Sequence, residues 1–131
     1  MADDLEEEKA WKSSFSEGGV TYAASLVWQP LINEDSPLSE VKEAAENILE
    51  GADLYAVRKG KSSQFGLAAS SQGFASGMPS AAIALVSALG YVTSFLGVFK
   101  VDNGWWYICF RNDVILSDGD TLFVNEKDAK D

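Results

Sequence analysis

The feature that most constrains the fold of this chain is a long uncharged segment. No Asp, Glu, Lys or Arg occurs from Ser62 to Phe99, and its apolar second half, 81–99, is long enough to cross a bilayer as a helix. Gly90 interrupts this half, and the composition changes after it from alanine and leucine to β-branched and aromatic residues. Because a glycine commonly ends a helix, the segment predicts a buried helix that ends at Gly90 and a strand after it. A membrane span over 81–99 is the alternative.

Two helices are predicted from their start and stop signals. Ser36 and Pro37 are typical of an N-cap and a first helical residue, and Gly51 ends the helix that they begin. The buried helix opens at Pro79 and is apolar on every side. In the first helix the apolar residues recur at helical spacing and the acidic residues face water; the first set is Leu38, Val41, Ala45 and Ile48, and the second is Glu40, Glu43, Glu46 and Glu50.

The remaining chain is predicted to form strands and turns. Alternating apolar residues from Val20 to Trp28 indicate one strand with a buried face, stopped by Pro30. The Asn103–Gly104 pair indicates a hairpin. Further strands are predicted at 54–58, 64–69, 95–101, 105–110, 114–116 and 121–124, the last two joined by a turn at 117–120. This order predicts the α+β class, with two main helices on one side of a mostly antiparallel mixed sheet.

The charge of the chain is concentrated at its ends. The sequence has 20 acidic and 10 basic residues and a formal charge of −10, which argues against nucleic acid as a partner. We predict an acidic, loosely ordered segment over 1–17, one globular domain over 18–125 and a polar tail over 126–131. Within the first segment, Trp11 and Phe15 have the spacing of one face of a short docking helix. An acidic N-terminus is unlike a secretory signal and predicts a cytoplasmic protein.

The sequence offers no group of residues typical of catalysis. It contains no histidine, and its one cysteine, Cys109, is expected to pack within a strand. The run Gly60–Ser62 resembles the end of a phosphate loop, but Tyr55 occupies the place of the required glycine. Asp118 and Asp120 lack the upstream carboxylates of a calcium loop. We therefore predict no catalytic residue, no cofactor and no metal ligand; a carboxylate-only saccharide hydrolase is an alternative for which the spacing names no pair.

Two adjacent tryptophans must point to opposite faces of the sheet. Trp106 shares its face with the apolar residues Ile108 and Phe110, which predicts a core position. Trp105 shares its face with Tyr107, Cys109 and Arg111, a mixture that protein interfaces favour. The alternative is that a loop, or the N-terminal segment with Trp11 and Phe15, covers the Trp105 face.

Short pieces of the sequence, in order over about residues 20–124, resemble the N-terminal cytoplasmic domain of type IVb pilus biogenesis proteins. These are the pilin accessory protein O family and the related bundle-forming and toxin-coregulated pilus assembly proteins. The pieces are Ala24–Leu31, Tyr55–Arg58, Gln64–Gly66, Pro79–Ala82, Leu96–Phe99, the pair Trp105 and Trp106, and Asn112–Asp120.

The resemblance implies a scaffold rather than an enzyme. Its members resemble the L protein of type II secretion and a single subdomain of the actin-like ATPases, and they recruit the assembly ATPase and other inner-membrane platform proteins. Trp28 and Gln29 lie where an actin-like phosphate turn would follow the first strand, and with Trp105, Tyr107 and Arg111 they form the candidate protein-binding residues. The implied location is the cytoplasmic face of the inner membrane, reached through a partner or a segment outside this chain. A general acidic adaptor or inhibitor is the alternative function.

Overall fold

The computed structural model describes residues 11–32, 36–49, 51–59, 62–90 and 92–130. These residues form short strands interrupted by two main helices, followed by a terminal helical turn. In chain order the elements are β1 (Trp11–Lys12), β2 (Ser14–Glu17), β3 (Val20–Ala23), β4 (Val27–Pro30), α1 (Pro37–Ile48), β5 (Leu54–Arg58), β6 (Gln64–Ala68), a 3₁₀ turn (Ser70–Gln72), α2 (Ala81–Leu89), β7 (Phe95–Val101), β8 (Gly104–Arg111), β9 (Val114–Phe123) and α3 (Glu126–Lys130).

The strands are divided among three small sheets. One sheet has the order β1-β9-β8-β7, a second pairs β2 with β3, and the third has the order β4-β6-β5. Neighbouring strands in all three sheets are antiparallel. The predicted α+β class with mostly antiparallel pairing is therefore confirmed, while the strands occupy three sheets instead of the one mixed sheet that was expected.

The predicted strand from Val20 to Trp28 is broken in its middle. Ser25 has a φ of 64°, so β3 ends before it and β4 begins after it. Its backbone N–H and that of Leu26 turn toward the carboxylate of Asp120, at 3.1 and 3.4 Å. Leu26 and Trp28 are buried, as the alternation predicted. Val20 is 40% exposed, so the prediction is wrong at that residue. Hydrogen bonds to the distant Asp120 therefore accompany a break in the strand that the local alternation predicted.

A single strand, β9, replaces the predicted hairpin around residues 117–120. Its pairing with β8 passes from Ile115 opposite Phe110 directly to Asp120 opposite Ile108. Residues 116–119 therefore bulge out of the ladder against one residue of β8. Gly119 permits this because a Cβ there would lie 2.5 Å from the carbonyl oxygen of Cys109. Residues 117–120 have the composition of a turn, but in the structure they belong to a bulge and do not reverse the direction of the chain.

The N-terminal pair of aromatic residues lies in strands, which corrects the helical face expected for them. Trp11 is in β1, which pairs with β9, and Phe15 is in β2, which pairs with β3. The ring of Phe15 is 5.4 Å from that of Trp106 and only 6% exposed, whereas Trp11 stacks on Phe74 at 6.4 Å. Both rings therefore pack against the domain from separate strands.

Helix α1 has the predicted bounds but a narrower buried face. Of the apolar residues that recur at helical spacing, Val41 is buried, while Leu38 and Ile48 are 49% and 45% exposed. The carboxylate of Glu40 accepts hydrogen bonds of 3.0 and 2.9 Å from the N–H of Ile32. The helix is thus fixed to the end of β4 partly by a polar contact.

Helix α2 ends before Gly90, as predicted, but only one side of it is buried. Ser80 caps its start by accepting a hydrogen bond of 3.2 Å from the N–H of Ile83, and Gly90 has a φ of 61°. The buried residues are Ala81, Ala82 and Val86, whereas Ala84, Ser87 and Ala88 are exposed. None of the helices in the described ranges is both long and apolar enough to cross a membrane.

The side chain of Gln64 joins the three-stranded sheet to the four-stranded one. Its Nε2 donates to the carbonyl of Ile115 at 2.7 Å, and its Oε1 accepts from the N–H of Ile115 at 2.9 Å. Nearby, the Arg58 guanidinium forms an ion pair of 2.7 Å with Asp113 and donates to its carbonyl at 2.9 Å. Because Gln64 is 1% exposed, these bonds hold the two sheets in a defined relative position.

Candidate protein-binding site

The four-stranded sheet has a buried inner face and a partly open outer face. On the inner face Trp106, Ile108 and Phe110 are at most 5% exposed, as their alternation predicted. On the outer face Trp105 and Tyr107 are half-buried. The two neighbouring tryptophans therefore lie in different environments, and only Trp105 has surface available to a partner.

A buried carboxylate, that of Asp120, organises the inner side of this sheet. It accepts hydrogen bonds from the indole N–H groups of Trp28 and Trp106 at 3.0 and 2.9 Å, and from the backbone N–H groups of Ser25 and Leu26. Complete burial raises the pKa of the Asp120 carboxyl, and the two indole N–H bonds and then the backbone bonds act in the opposite direction. These four donors connect β9 to β8 and to the break between β3 and β4.

The raised pKa of Asp120 predicts a specific pH dependence of stability. An aspartate in an unfolded chain has a pKa of about 3.9, so the part of the folding stability that depends on protonation of Asp120 is full below about pH 4 and is lost as the pH rises through its raised folded value. We expect the free energy of unfolding of the wild type, relative to Asp120→Asn, to decrease over that interval. Urea titrations of both proteins between pH 3.5 and 7.5 measure this difference; a difference that increases with pH would contradict the assignment.

The bulge in β9 separates two surface cavities. Exposed Asp118 lies at the boundary and lines both of them. A groove of about 490 Å³ on one side is lined by residues that include Trp11, Gln29 and Phe74. A cleft of about 330 Å³ on the other side lies between the outer face of the sheet and α3.

The outer face combines aromatic, aliphatic and cationic side chains. The Lys100 ammonium lies 4.8 Å from the ring centroid of Trp105, and Leu96 on the neighbouring strand is 67% exposed. Burial raises the pKa of the Tyr107 hydroxyl, and the adjacent Cys109 thiol adds to this, so the phenol is protonated at neutral pH. Such a surface can pack an apolar side chain and supply a hydrogen-bond donor.

The segment that packs against the cleft is α3, from the chain's C-terminal end. Its Ala129 is 3% exposed and lines the cleft together with Leu96, Tyr107 and Phe123. Of the N-terminal aromatic residues, Phe15 packs on Trp106 at the opposite face, and Trp11 stacks on Phe74.

The five predicted binding residues do not form one surface. Trp105, Tyr107 and Arg111 follow one another along the outer side of β8, and Arg111 is exposed at its end. Gln29 lies in the groove beyond the bulge. Trp28 is 1% exposed and donates to Asp120, so the structure places it in the core and corrects its assignment to a surface.

Two residues of this region were missed by sequence reasoning. Leu96 pairs directly with Cys109, so the alternation along β7 could have placed it beside Tyr107. Asp120 had no such signal, since its partners Ser25 and Trp28 lie more than ninety positions earlier in the chain.

The motifs that resemble ligand sites have other structural roles where the structure describes them. The carboxylate of Asp120 accepts hydrogen bonds from the indole N–H groups of Trp28 and Trp106, and Asp118 belongs to the bulge. Across the described ranges, no three carboxylate or thiol groups converge as they would around a metal ion. Gly60 and Lys61 lie outside the described residues.

Comparison with known proteins identifies the family. The chain matches the Pilin accessory protein (PilO) family over residues 22–129. It is similar in structure to the crystal structure of the cytoplasmic domain of BfpC, with a TM-score of 0.71 and 24% sequence identity over 93% of this chain and 73% of that one. A search of curated protein sequences gave no match. The structural likeness supports the fold, and the family match covers most of the chain, so this chain belongs to the pilin accessory protein (PilO) family.

Proposed function

We propose that this chain is a non-catalytic scaffold of the type IVb pilus assembly platform, and that it recruits the assembly ATPase to the cytoplasmic face of the inner membrane. Membership of the pilin accessory protein family supports a role in pilus assembly. The observation that carries the binding role is the outer face of β8, where Trp105 and Tyr107 are only half-buried beside exposed Leu96. The resemblance to an actin-like subdomain and to the L protein of type II secretion belongs to the same proposal.

The composition of this face suits a protein partner. Tryptophan, tyrosine and arginine are the side chains most enriched among the residues that dominate binding energy. Trp105, Tyr107 and Arg111 lie in one row, and the cleft under α3 adds a concave edge to that row. We therefore assign the ATPase contact to these three residues, with Gln29 outside it.

We expect Trp105→Ala to weaken binding of the assembly ATPase from the same pilus system by about 30-fold, the loss typical of an interface hot spot. Biolayer interferometry with immobilised wild-type and variant chains measures it. Tyr55→Ala is the matched control, because Tyr55 is a 50% exposed aromatic residue on an edge strand of another sheet. Equal affinities of the wild type and Trp105→Ala would contradict the assigned surface.

The acidic adaptor hypothesis is distinguished by salt dependence. An interface formed by aromatic side chains should lose little affinity when sodium chloride rises from 0.1 to 0.5 M, because such contacts are not screened. Binding through acidic chain ends should weaken steeply over the same range. A steep loss, together with an unaffected Trp105→Ala variant, would favour the adaptor.

A further inference from the structure

The four-stranded sheet ends in an open edge at β7. β7 pairs with β8 on one side, and among the described residues no other strand pairs with it. Leu96 and Phe99 on this strand are 67% and 38% exposed. Edge strands present unpaired N–H and C=O groups, and proteins usually protect them with charges, proline or a covering segment. The stretch Phe95–Phe99 contains neither a charge nor a proline.

The sequence of this edge is nearly the same in both directions. It reads Phe-Leu-Gly-Val-Phe from Phe95 to Phe99, with an aromatic residue at each end, an aliphatic residue inside each and Gly97 at the centre. We propose that two copies of this chain pair antiparallel through β7, with Gly97 on the two-fold axis. Each Phe95 then faces Phe99 of the other copy, and each Leu96 faces Val98. A two-fold interface requires such self-complementarity, which a contact with an unrelated partner does not.

The charge distribution makes this edge a place where a second copy meets little repulsion. Each chain carries a formal charge of −10, so two copies repel one another over most of their surfaces. The uncharged segment from Ser62 to Phe99 supplies β7 up to Phe99, and Lys100 is the one charged residue of the strand. In the proposed register Lys100 faces Ser94, so no like charges meet directly.

The side chains of β7 are already arranged for such pairing. The rings of Phe95 and Phe99 stack on one face with centroids 6.1 Å apart and an interplanar angle of 14°. They lie over Gly97, where a Cβ would come within 2.8 Å of the Phe95 ring. Pairing would extend this stack into a row of four rings on the inner face and would join Leu96 and Val98 of both copies on the outer face.

We expect a weak, concentration-dependent dimer. Pairing of one strand buries less area than a standard protein interface, so a dissociation constant in the range of about 1–100 μM is expected. Sedimentation equilibrium of the full chain up to about 500 μM should show a mass that increases from 14.1 kDa toward twice that value. A protein that stays monomeric over the whole range overturns the proposal.

Charged variants of the edge test the register. In a chain with both Leu96→Lys and Val98→Lys, lysines would face each other across the two-fold axis, and dimerisation should weaken by about 100-fold. The matched chain with both Leu96→Glu and Val98→Glu should behave in the same way. Mixing the two should restore a dimer, because every lysine then faces a glutamate. Circular dichroism and thermal melts verify that each variant is folded.

Tyr55→Lys is the control, since Tyr55 is exposed on β5, the edge strand of the three-stranded sheet. It should leave the dimer unchanged. If Tyr55→Lys dissociates the dimer, or if the double lysine variant is folded and still dimeric, copies associate elsewhere and the proposal is wrong. No assembly ATPase is present in these measurements, so their outcome is independent of the function proposed above.

Discussion

Replacing Asp120 with alanine is expected to lower the free energy of unfolding by about 3 to 5 kcal/mol, because several buried N–H donors lose their acceptor at once and each costs about 1 to 3 kcal/mol when it is left unpaired. The substitution removes the acceptor shared by two indole N–H groups and two backbone N–H groups, and the Asp120 side chain is 1% exposed, so bulk water cannot replace it. Each buried donor left without a partner is destabilising. Urea denaturation followed by tryptophan fluorescence measures the loss and also reports on the environments of Trp28 and Trp106.

Asp118→Ala is the control for this prediction. Asp118 lies two positions earlier on the same bulge but is exposed, so its replacement should change the free energy of unfolding by about 0.5 kcal/mol or less. Similar losses for Asp118→Ala and Asp120→Ala would show that the bulge as a whole, and not the buried carboxylate, stabilises the junction of the strands.

Trp106→Ala is expected to destabilise the fold by about 3 to 5 kcal/mol, the usual cost of deleting a large buried ring. Its side chain is 5% exposed, touches the rings of Phe15 and Phe99 at 5.4 and 5.9 Å, and donates to Asp120. Trp105→Ala should cost about 1 kcal/mol or less, because that ring is half-buried on the outer face. Denaturant melts of the two variants measure the difference.

The pair of tryptophans is its own matched control, since the two residues are adjacent in β8 and identical in type. Equal losses of stability, or a larger loss at Trp105, would contradict the assignment of faces and the binding surface based on it. The proposed function requires that Trp105→Ala loses little stability and binds the assembly ATPase more weakly than the wild type.

Local signals predicted the elements that depend on short-range interactions. The bounds of α1 follow from Pro37 at its start and Gly51 just beyond its end, and α2 ends before Gly90. The hairpin of β7 and β8 forms where the Asn-Gly pair indicated, although its two-residue turn is Asp102 and Asn103, and Gly104 is the first residue of β8. At the two helices a residue with restricted or unusual backbone freedom acts within a few positions of the element that it limits.

The candidate site was only partly predictable. Trp105, Tyr107 and Arg111 could be placed on one row because alternation in a strand is a local property. The alternation over 20–28 already predicted a buried face that includes Trp28, and its assignment to the binding surface came from the resemblance to the family and not from that pattern. Its indole donates to Asp120, a residue 92 positions away, and that contact places it inside.

By itself, the sequence determined the α+β class, the positions of the two main helices and the division of Trp105 and Trp106 between opposite faces. Only the tertiary structure decided that β3 and β4 are separate strands and that residues 116–119 form a bulge instead of a turn. The physical reason is the same in both places. The Asp120 carboxylate, fully buried, must find donors, and it finds them at the backbone of Ser25 and Leu26 and at the indoles of β4 and β8. These contacts between distant residues outweigh the local preferences of the chain.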